Sequence, residues 1–562
     1  LAAEFPRTHR GRDASVRPLQ AHLVRNTRPG LLALFGAVAL VLLIACANVA
    51  NLLLARSSAR STEMTIRMAL GASRGRLLRQ SLAENLLSTA VASALGLALA
   101  AWGTRIATTR LPAALPPPAG EIAIDWRVAV FAVGTALALA VALGVVASPG
   151  PRARMTSSAP RVIGTARTVR RALVVAEVAM ALVLLAGAGL FIKSLANLYG
   201  VSPGFDSSGV LTFSVTLPTA AYPEPEQVAS FVERLRAELA PAPGVDASAG
   251  IFGLPLTDEF GASSTFERIG RPSDPGSEPI TAMRVATPHY FRAMRIPIRA
   301  GRDFSDRDTA LSPGVAIINE TAARKYWPGE SPIGRSLRLH VGLAPRIGRG
   351  PREIIGVVGD VRYGGLDVEP QAEVYIPHAQ HPVDGLAMTL RTSGNPRSIV
   401  PTVKAVLQRL DPNMPMSGIA TMEEIVAESV AARRFSLLLL AGFAGVALLL
   451  ASIGIYGVLS YTVGQRTREI GVRMAMGAQR THVQRLVVGE GLVLAVAGLT
   501  LGIAATLAVT GAIRGLLYQV QPADPSTLAL VSAALLVVAV AANYLPARRA
   551  AAVNPVAALR GE

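Results

Sequence analysis

One motif occurs twice in this chain beside long apolar runs, and this repeat restricts the fold more than any other feature of the sequence. The stretch EMTIRMALGASR at 63–74 returns 406 residues later as EIGVRMAMGAQR at 469–480. When 63–84 is aligned with 469–490, 9 of the 22 positions are identical. Each copy follows one apolar run and leads into another. A repeat with the same apolar flanks indicates a duplicated membrane unit.

The motif predicts a short helix between two spans. Glu63 precedes Arg67 by four residues, which is the favourable order for an ion pair on an exposed helix face. Met64 and Met68 share another face of that helix, and Gly71 is placed to end it. A methionine-rich face suits a surface that docks on a partner and still moves.

A basic loop between spans explains a single copy of the motif equally well. The second copy preserves the spacing and therefore favours the docking helix. The corresponding residues of that copy are Glu469, Arg473, Met474 and Gly477.

Composition places the chain in a membrane. The 562 residues are 51% hydrophobic, which is too apolar for a soluble protein. The net charge of +18 comes almost entirely from arginine and is concentrated beside the apolar runs, so it indicates a topogenic bias and not nucleic-acid binding. The only cysteine, Cys46, lies inside an apolar run, which excludes a disulfide framework or a cysteine metal site within one chain.

Seven apolar runs are long enough to cross a bilayer, for which about 20 helical residues suffice. They fall into groups of three, one and three. Their ranges are 31–54, 82–101, 128–147, 172–192, 435–460, 486–511 and 526–545.

The basic residues of the loops predict the orientation of these spans. Loops 55–79 and 148–171 hold six arginines each and loop 461–485 holds five, whereas 102–127 and 512–525 hold three and one. We therefore predict that the first three loops and the C-terminal tail face the cytoplasm.

This orientation places residues 1–30 outside the cytoplasm despite their six arginines. Long translocated segments escape the charge rule. We therefore expect residues 1–30 to be the remnant of a larger external domain, and the sequence to be a fragment whose start is missing.

Residues 193–434 contain no apolar run of spanning length and predict an extracytoplasmic α+β domain with its own core. Strand-like and helix-like stretches alternate along it. The strand-like stretches are 211–217, 314–319, 352–361 and 387–392, and the helix-like ones are 225–240 and 397–410.

The sequence predicts no catalytic residue, cofactor or metal site. It contains no G-x-x-x-x-G-K-[ST] phosphate loop. His378 and His381 have a spacing that suits a metal, but no third ligand lies nearby, and such a loop pair is typically solvated. Carboxylates within spans are the better functional candidates, because their burial is costly. These are Glu84, Glu177 and Glu490, but each is also close enough to a span end to reach headgroup water, which explains them equally well.

These features resemble the MacB/FtsX-type ABC transporter permeases. The pattern E-x-x-x-R-x-A-x-G-A-x-[RQ] after a span is similar to their cytoplasmic coupling region. Residues 173–195 and 201–218 resemble the first span of such a permease and its entry into the periplasmic core domain. Residues 544–560 resemble the C-terminal signature of the family. The arrangement is most similar to the duplicated, acidobacterial-type orphan permeases, in which a four-span unit occurs twice.

The resemblance implies an α-helical membrane protein with an α+β, MacB-like periplasmic core domain, located in the inner membrane of a bacterium. It also implies a division of the chain. The parts are a remnant of the first periplasmic domain (1–30), a first FtsX-like permease domain (31–147), a cytoplasmic linker (148–171), the first span of the second unit (172–192), the periplasmic core domain (193–434) and a second FtsX-like permease domain (435–562).

By the same resemblance, the chain is a permease subunit and not an enzyme. A separate ABC ATPase would hydrolyse ATP, and the permease would convert this into periplasmic conformational change for efflux or export. The ATPase would dock on Glu63, Met64, Arg67, Met68 and Gly71, and on Glu469, Arg473, Met474 and Gly477.

The other implied partners are the lipid bilayer, a periplasmic adaptor and an outer-membrane channel. Residues 147–167 lack the family signature, so the two halves need not function equally. Two alternatives stay open: an FtsX-type regulator of periplasmic enzymes, and a lipoprotein-releasing permease.

Overall fold

The structure is a computed structural model that describes residues 28–59, 74–110, 125–147, 160–257, 261–271, 278–340, 350–476 and 479–552. The chain separates into two compact units. One comprises Leu198–Ala432, and the other contains the described residues before and after that segment.

Four long helices precede the inserted unit, and each contains one of the first four predicted spans. They are α1 (Arg28–Ala59), α2 (Arg74–Arg110), α3 (Trp126–Ala147) and α4 (Pro160–Tyr199). Uninterrupted apolar sequence favours helix here, because only a helix satisfies its own backbone hydrogen bonds in lipid.

The Leu198–Ala432 unit contains both strands and helices, as the sequence predicted. The strands are β1 (Val210–Thr216), β2 (Val245–Phe252), β3 (Ala262–Arg268), β4 (Ile280–Ala286), β5 (Ile298–Gly301), β6 (Val315–Asn319), β7 (Ser336–His340), β8 (Arg352–Val358), β9 (Glu373–Pro377), β10 (Gly385–Thr392) and β11 (Ser417–Thr421). The α-helices are α5 (Pro225–Leu239), α6 (Tyr290–Ala293), α7 (Glu320–Tyr326), α8 (Val400–Leu410) and α9 (Met422–Ser429).

The strands form a single mixed sheet in the order β11-β1-β10-β2-β4-β3-β7-β8-β6-β9, with β5 on β8. Parallel pairing of β4 with β9 closes β4, β3, β7, β8, β6 and β9 into a ring. The inside of this ring is filled by apolar side chains, among them Phe266, Ile318 and Ile354. Strands β2, β10, β1 and β11 extend from the ring as an open antiparallel layer.

Helices α5 and α8 cover one face of the open layer. Phe231 and Leu235 of α5 and Val403 of α8 are fully buried against Phe213 of β1. The apolar residues of both helices recur at three- and four-residue intervals, which gives each helix one buried face. This amphipathic pattern explains why both helices could be predicted from the sequence.

The last helices after the inserted unit match the three remaining predicted spans. They are α10 (Ala431–Gln465), α12 (Arg480–Ile513) and α13 (Pro525–Ala551), with the short helix α11 (Thr467–Ala475) between α10 and α12. By length and composition, six of the described helices can cross a membrane, whereas the sequence predicted seven spans. In the described part of the seventh helix, α3, the apolar stretch is shorter, Trp126–Ala138. Large apolar side chains such as Phe35, Phe131 and Leu438 are exposed on these helices, as lipid-facing residues would be.

His378 and His381 differ from the solvated pair that the sequence suggested. Their side chains are 3% and 4% exposed at the end of β9. Val383 donates its backbone N–H to His378 Nε2 over 3.3 Å. Burial lowers the pKa of each histidine to about 4, and the charge of Arg352 also lowers that of His381. Among the described residues, no group of three potential ligands is placed to hold a metal ion.

These buried histidines predict acid sensitivity of the Leu198–Ala432 unit. Their folded-state pKa values lie below the ordinary value, so their contribution is complete above about pH 6.5 and is lost as the pH falls towards 4. Each contributes at most about 3 kcal/mol to that loss. Denaturant titrations of residues 198–432 between pH 4 and 8 measure this effect. The free energy of unfolding should depend less on pH in the double variant His378→Gln with His381→Gln than in the parent. His340→Gln, at an exposed position, is the control. An unchanged slope in the double variant would refute this account.

Candidate functional site

Helix α11 presents charged residues on one side and packs on the other. Glu469 and Arg473 form an ion pair with Oε1 and Nη2 2.6 Å apart, and both side chains are about half exposed. Ile470 is buried, and Met474 is partly buried against the membrane-helix core. Met474 therefore faces its own bundle more than the exposed surface that the sequence suggested, while Met476 is 83% exposed.

The structure does not describe the other predicted docking residues. Glu63, Met64, Arg67, Met68, Gly71 and Gly477 lie outside the described residues. Glu84 belongs to α2, but its side chain also lies outside what the structure describes.

Glu490 joins three parts of the bundle beside α11. Its Oε1 lies 2.8 Å from Arg466 Nη1 at the α10–α11 junction and 3.7 Å from Arg171 Nη2 of α4. The three side chains are between 28% and 42% exposed, so these pairs are at the edge of the bundle. Arg466, Glu469, Arg473 and Glu490 line one shallow pocket. Through Glu490 of α12, ion pairs thus connect the α10–α11 junction to α4.

Helix α4 is also fixed at its other end. Lys193 Nζ lies 2.7 Å from Asp524 Oδ1, and Asp524 accepts the backbone N–H of Thr527 in the first turn of α13. These partners hold the pKa of Asp524 below its usual range. Ser194 Oγ accepts the backbone N–H of Tyr518 over 2.8 Å. Polar contacts therefore hold both ends of α4 to the last two long helices and their connection.

Between these ends, glycines allow α12 to approach α4 closely. A Cβ placed on Gly498 would lie 2.6 Å from Val178 Cβ, and one on Gly502 would lie 2.8 Å from Leu182 Cδ2. Glycines four residues apart form one stripe on a helix, and such stripes let membrane helices pack through their backbones.

Glu177 is the one predicted intramembrane carboxylate that is fully buried, among those whose side chains are described. Asn51 Nδ2 donates a hydrogen bond to its Oε1 over 3.2 Å. Sequence reasoning missed Asn48 and Asn51 of α1 and Asn543 of α13, all of which are buried. Each is an amide within a span, and this signal could have identified them, because polar residues at that depth are costly.

Family models match nearly the whole arrangement. The FtsX-like permease C-terminal model matches residues 35–157 and again 441–555. The MacB-like periplasmic core domain model matches residues 172–413. The two permease matches lie on either side of the periplasmic match, as the repeated motif requires.

Curated relatives are similar over about half of the chain. The pyoverdine export ATP-binding/permease protein PvdT of Pseudomonas aeruginosa is 30% identical over 286 residues, covering 47% of this chain and 40% of the relative. PvdT of Pseudomonas putida is 26% identical over 275 residues, covering 47% and 41%. The macrolide export ATP-binding/permease protein MacB of Chromobacterium violaceum is 26% identical over 286 residues, covering 49% and 42%. The chain thus spans about two fifths of the length of these relatives.

Solved structures are similar to part of the chain. The periplasmic region of MacB from Actinobacillus actinomycetemcomitans matches at 14% identity and a TM-score of 0.28, covering 42% of this chain and 95% of that one. The extracellular domain of the noncanonical ABC-type transporter YknZ from Gram-positive bacteria matches at 18% identity and a TM-score of 0.25, covering 37% and 100%.

Proposed function

We propose that this chain, which belongs to the MacB/FtsX-type ABC transporter permeases, transmits ATP-driven motion from a separate ATPase to its periplasmic domain for export. The family models support a permease with a periplasmic core domain, and the names of the relatives support a role in export. The separate ATPase, the direction of force transmission and the domain boundaries given above are our proposals. PvdT and MacB are named for ATP binding as well as permease function, whereas no phosphate loop occurs in these 562 residues.

The observation that carries the proposal is the way α4 is held. Its first half contacts Glu490 beside the candidate docking helix α11, and its Lys193 is fixed to the start of α13. The chain then passes from α4 directly into β1 of the periplasmic domain. A helix attached in this way moves as a rod when its cytoplasmic end is displaced, because packed helices shift as units.

The duplicated unit provides two candidate docking helices in one chain, at 63–74 and at 469–480. We therefore expect one permease chain to bind two ATPase subunits. Native mass spectrometry of the permease with its ATPase measures this ratio directly. A complex of two permease chains with one ATPase pair would contradict the proposal, as would a complex without any ATPase.

The proposed topology makes its own prediction. Cysteines placed in loops 55–79 and 461–485 should resist a membrane-impermeant thiol reagent in spheroplasts, whereas Asp367→Cys in the periplasmic domain should react. Cys46 is replaced by alanine in every variant to remove background. Permeabilised spheroplasts are the control, because there all three positions should react. Equal labelling of both classes in intact spheroplasts would refute the orientation.

A further inference from the structure

Three polar side chains meet in the apolar interior of the helix bundle. Asn48 and Asn51 lie on α1 and Glu177 lies on α4, and their exposed fractions are 6%, 7% and 0%. Asn51 Nδ2 donates to Glu177 Oε1 over 3.2 Å, and Asn48 Nδ2 donates to the backbone oxygen of Leu450 on α10 over 2.9 Å. Side-chain hydrogen bonds thus connect α1, from the first half of the chain, to two helices of the second half.

A glycine on α10 makes room for this cluster. A Cβ placed on Gly454 would lie 3.0 Å from Glu177 Cδ and 3.1 Å from Asn48 Oδ1, and it would overlap Glu177 Oε2. A larger residue at 454 would therefore displace the carboxyl group from its position beside α10.

The internal repeat shows which positions of α1 and α10 are equivalent in the two halves. With the separation of 406 residues, Asn48 corresponds to Gly454 and Asn51 corresponds to Gly457. The same alignment makes 8 of the 24 positions identical between 31–54 and 437–460. Equivalent positions on α1 and α10 therefore carry different residues, amides on one helix and glycines on the other.

Hydrogen bonding, and not charge pairing, is what the cluster supplies. Among the described residues, the Glu177 carboxyl group accepts its hydrogen bond from the amide of Asn51. Glu177 Oε2 and Asn51 Oδ1 have no hydrogen-bond partner there. Within a bilayer, a polar group without a partner is costly. Separating α1 from α4 would break the hydrogen bond between Asn51 and Glu177 and would therefore cost free energy.

We propose that Asn48, Asn51 and Glu177 form a pairing lock that selects the two different halves of one chain for each other. This rests on the proposed function, in which both halves together form one transport unit. Two copies of the second half would place Glu177 against glycines with no amide donor. Two copies of the first half would bring asparagines together where the lock needs glycine. Discrimination therefore comes from a favourable match and from unfavourable mismatches.

The test uses the intact chain with a protease site in the linker at 148–159 and an affinity tag on the second half. After folding, purification and cleavage, the amount of first half that is released is compared with the amount of first half that stays bound to the tagged second half. Glu177→Leu and Asn51→Leu should each raise the released fraction roughly three- to twentyfold, the range expected for a lost interhelical hydrogen bond. Glu177→Gln keeps the hydrogen bonding and should stay within about twofold of the parent.

Combining Glu177→Leu with Asn51→Leu should release no more than either change alone, because both remove the same hydrogen bond. The matched control is Thr506→Val on α12, since Thr506 is 3% exposed and donates only within its helix, to Gly502. If a leucine variant does not purify intact, Asn48→Ala replaces it, and its released fraction should rise severalfold.

Parent-like retention in all of the leucine or alanine variants would overturn the lock. Equal release from Glu177→Gln and Glu177→Leu would also overturn it, because charge would then be the required property. Binding of the ATPase to the uncut samples distinguishes this from the proposed function. If a variant releases its first half after cleavage but binds the ATPase when uncut, the lock is supported. If the uncut parent does not bind the ATPase, the proposed function is contradicted.

Discussion

Reversing both charges of the candidate docking helix α11, as Glu469→Arg with Arg473→Glu, should abolish the coupling of ATP hydrolysis to periplasmic output. The two side chains already pair with each other over 2.6 Å while remaining about half exposed. The reversed pair can still form, so the cost to the helix is only a few tenths of a kcal/mol. A partner surface that is complementary to the native charges would instead meet like charges, which costs several kcal/mol. This corresponds to at least about a hundredfold weaker ATPase binding.

The measurements are the membrane level of the permease, its affinity for the ATPase, and ATPase stimulation in reconstituted vesicles. Reversal of Arg271 and Glu330 is the matched control. These residues form another exposed ion pair, 2.6 Å apart, but in the periplasmic domain. That variant should couple normally. Normal coupling of the Glu469 and Arg473 reversal at normal membrane levels would leave α11 as a solvated loop helix.

The same reversal at Glu63 and Arg67 compares the two halves. A defect of similar size is expected if both copies of the motif dock an ATPase. A milder defect is expected if the first half has diverged, as the missing signature at 147–167 indicates. The ratio of the two defects therefore measures how far the halves differ in function.

The spans and the amphipathic helices were predictable because their signals are local. An apolar run such as 435–460 has few alternatives to a membrane helix, and α10 contains that run completely. Helices α5 and α8 show apolar residues at helical spacing, which is independent of the rest of the fold. The strand-like stretches at 211–217, 314–319, 352–361 and 387–392 also overlap β1, β6, β8 and β10.

The remaining strands depend on contacts that are distant in the sequence. Strand β9 (EVYIP) begins with a glutamate that is 2% exposed, so neither alternation nor apolar content reveals its position between β4 and β6. Ring closure by β4 and β9 is a long-range pairing with no local pattern.

The candidate site shows the same division between local and distant signals. The pair of Glu469 and Arg473 follows from spacing alone, and the structure contains it. The position of Met474 against the bundle and the partners of Glu490 could not be derived, because they depend on how α4 and α10 pack. Asn48 and Gly454 become informative only when the repeat register and the three-dimensional contacts are combined.

The second large effect is expected at the buried ion pair of the periplasmic ring. Arg284 Nη2 lies 3.5 Å from Glu373 Oε1, and the two side chains are 8% and 2% exposed. The guanidinium carbon of Arg284 lies 3.7 Å from the centre of the Tyr363 ring, and Tyr375 donates its hydroxyl to Glu373 Oε2 over 2.6 Å. Arg284→Met should destabilise the unit by about 3–5 kcal/mol, because it leaves a buried carboxyl group without its counter-charge. Denaturant unfolding of residues 198–432 measures this loss.

The sign of the pH dependence distinguishes loss of charge pairing from loss of packing. Burial raises the pKa of Glu373 to about 7, although Arg284 lowers it. A folded-state pKa above the ordinary value gives a contribution that is complete below about pH 4.5 and is lost as the pH rises. Removing Arg284 raises the pKa of Glu373 further, so more stability is lost as the pH rises. Arg284→Met should therefore be more destabilising at pH 8 than at pH 5. Arg338→Met, at a surface pair with Glu267 3.0 Å apart, should cost at most about 1 kcal/mol at either pH. An equal loss at both pH values in Arg284→Met would show that Arg284 acts by packing on Tyr363 and not by pairing with Glu373.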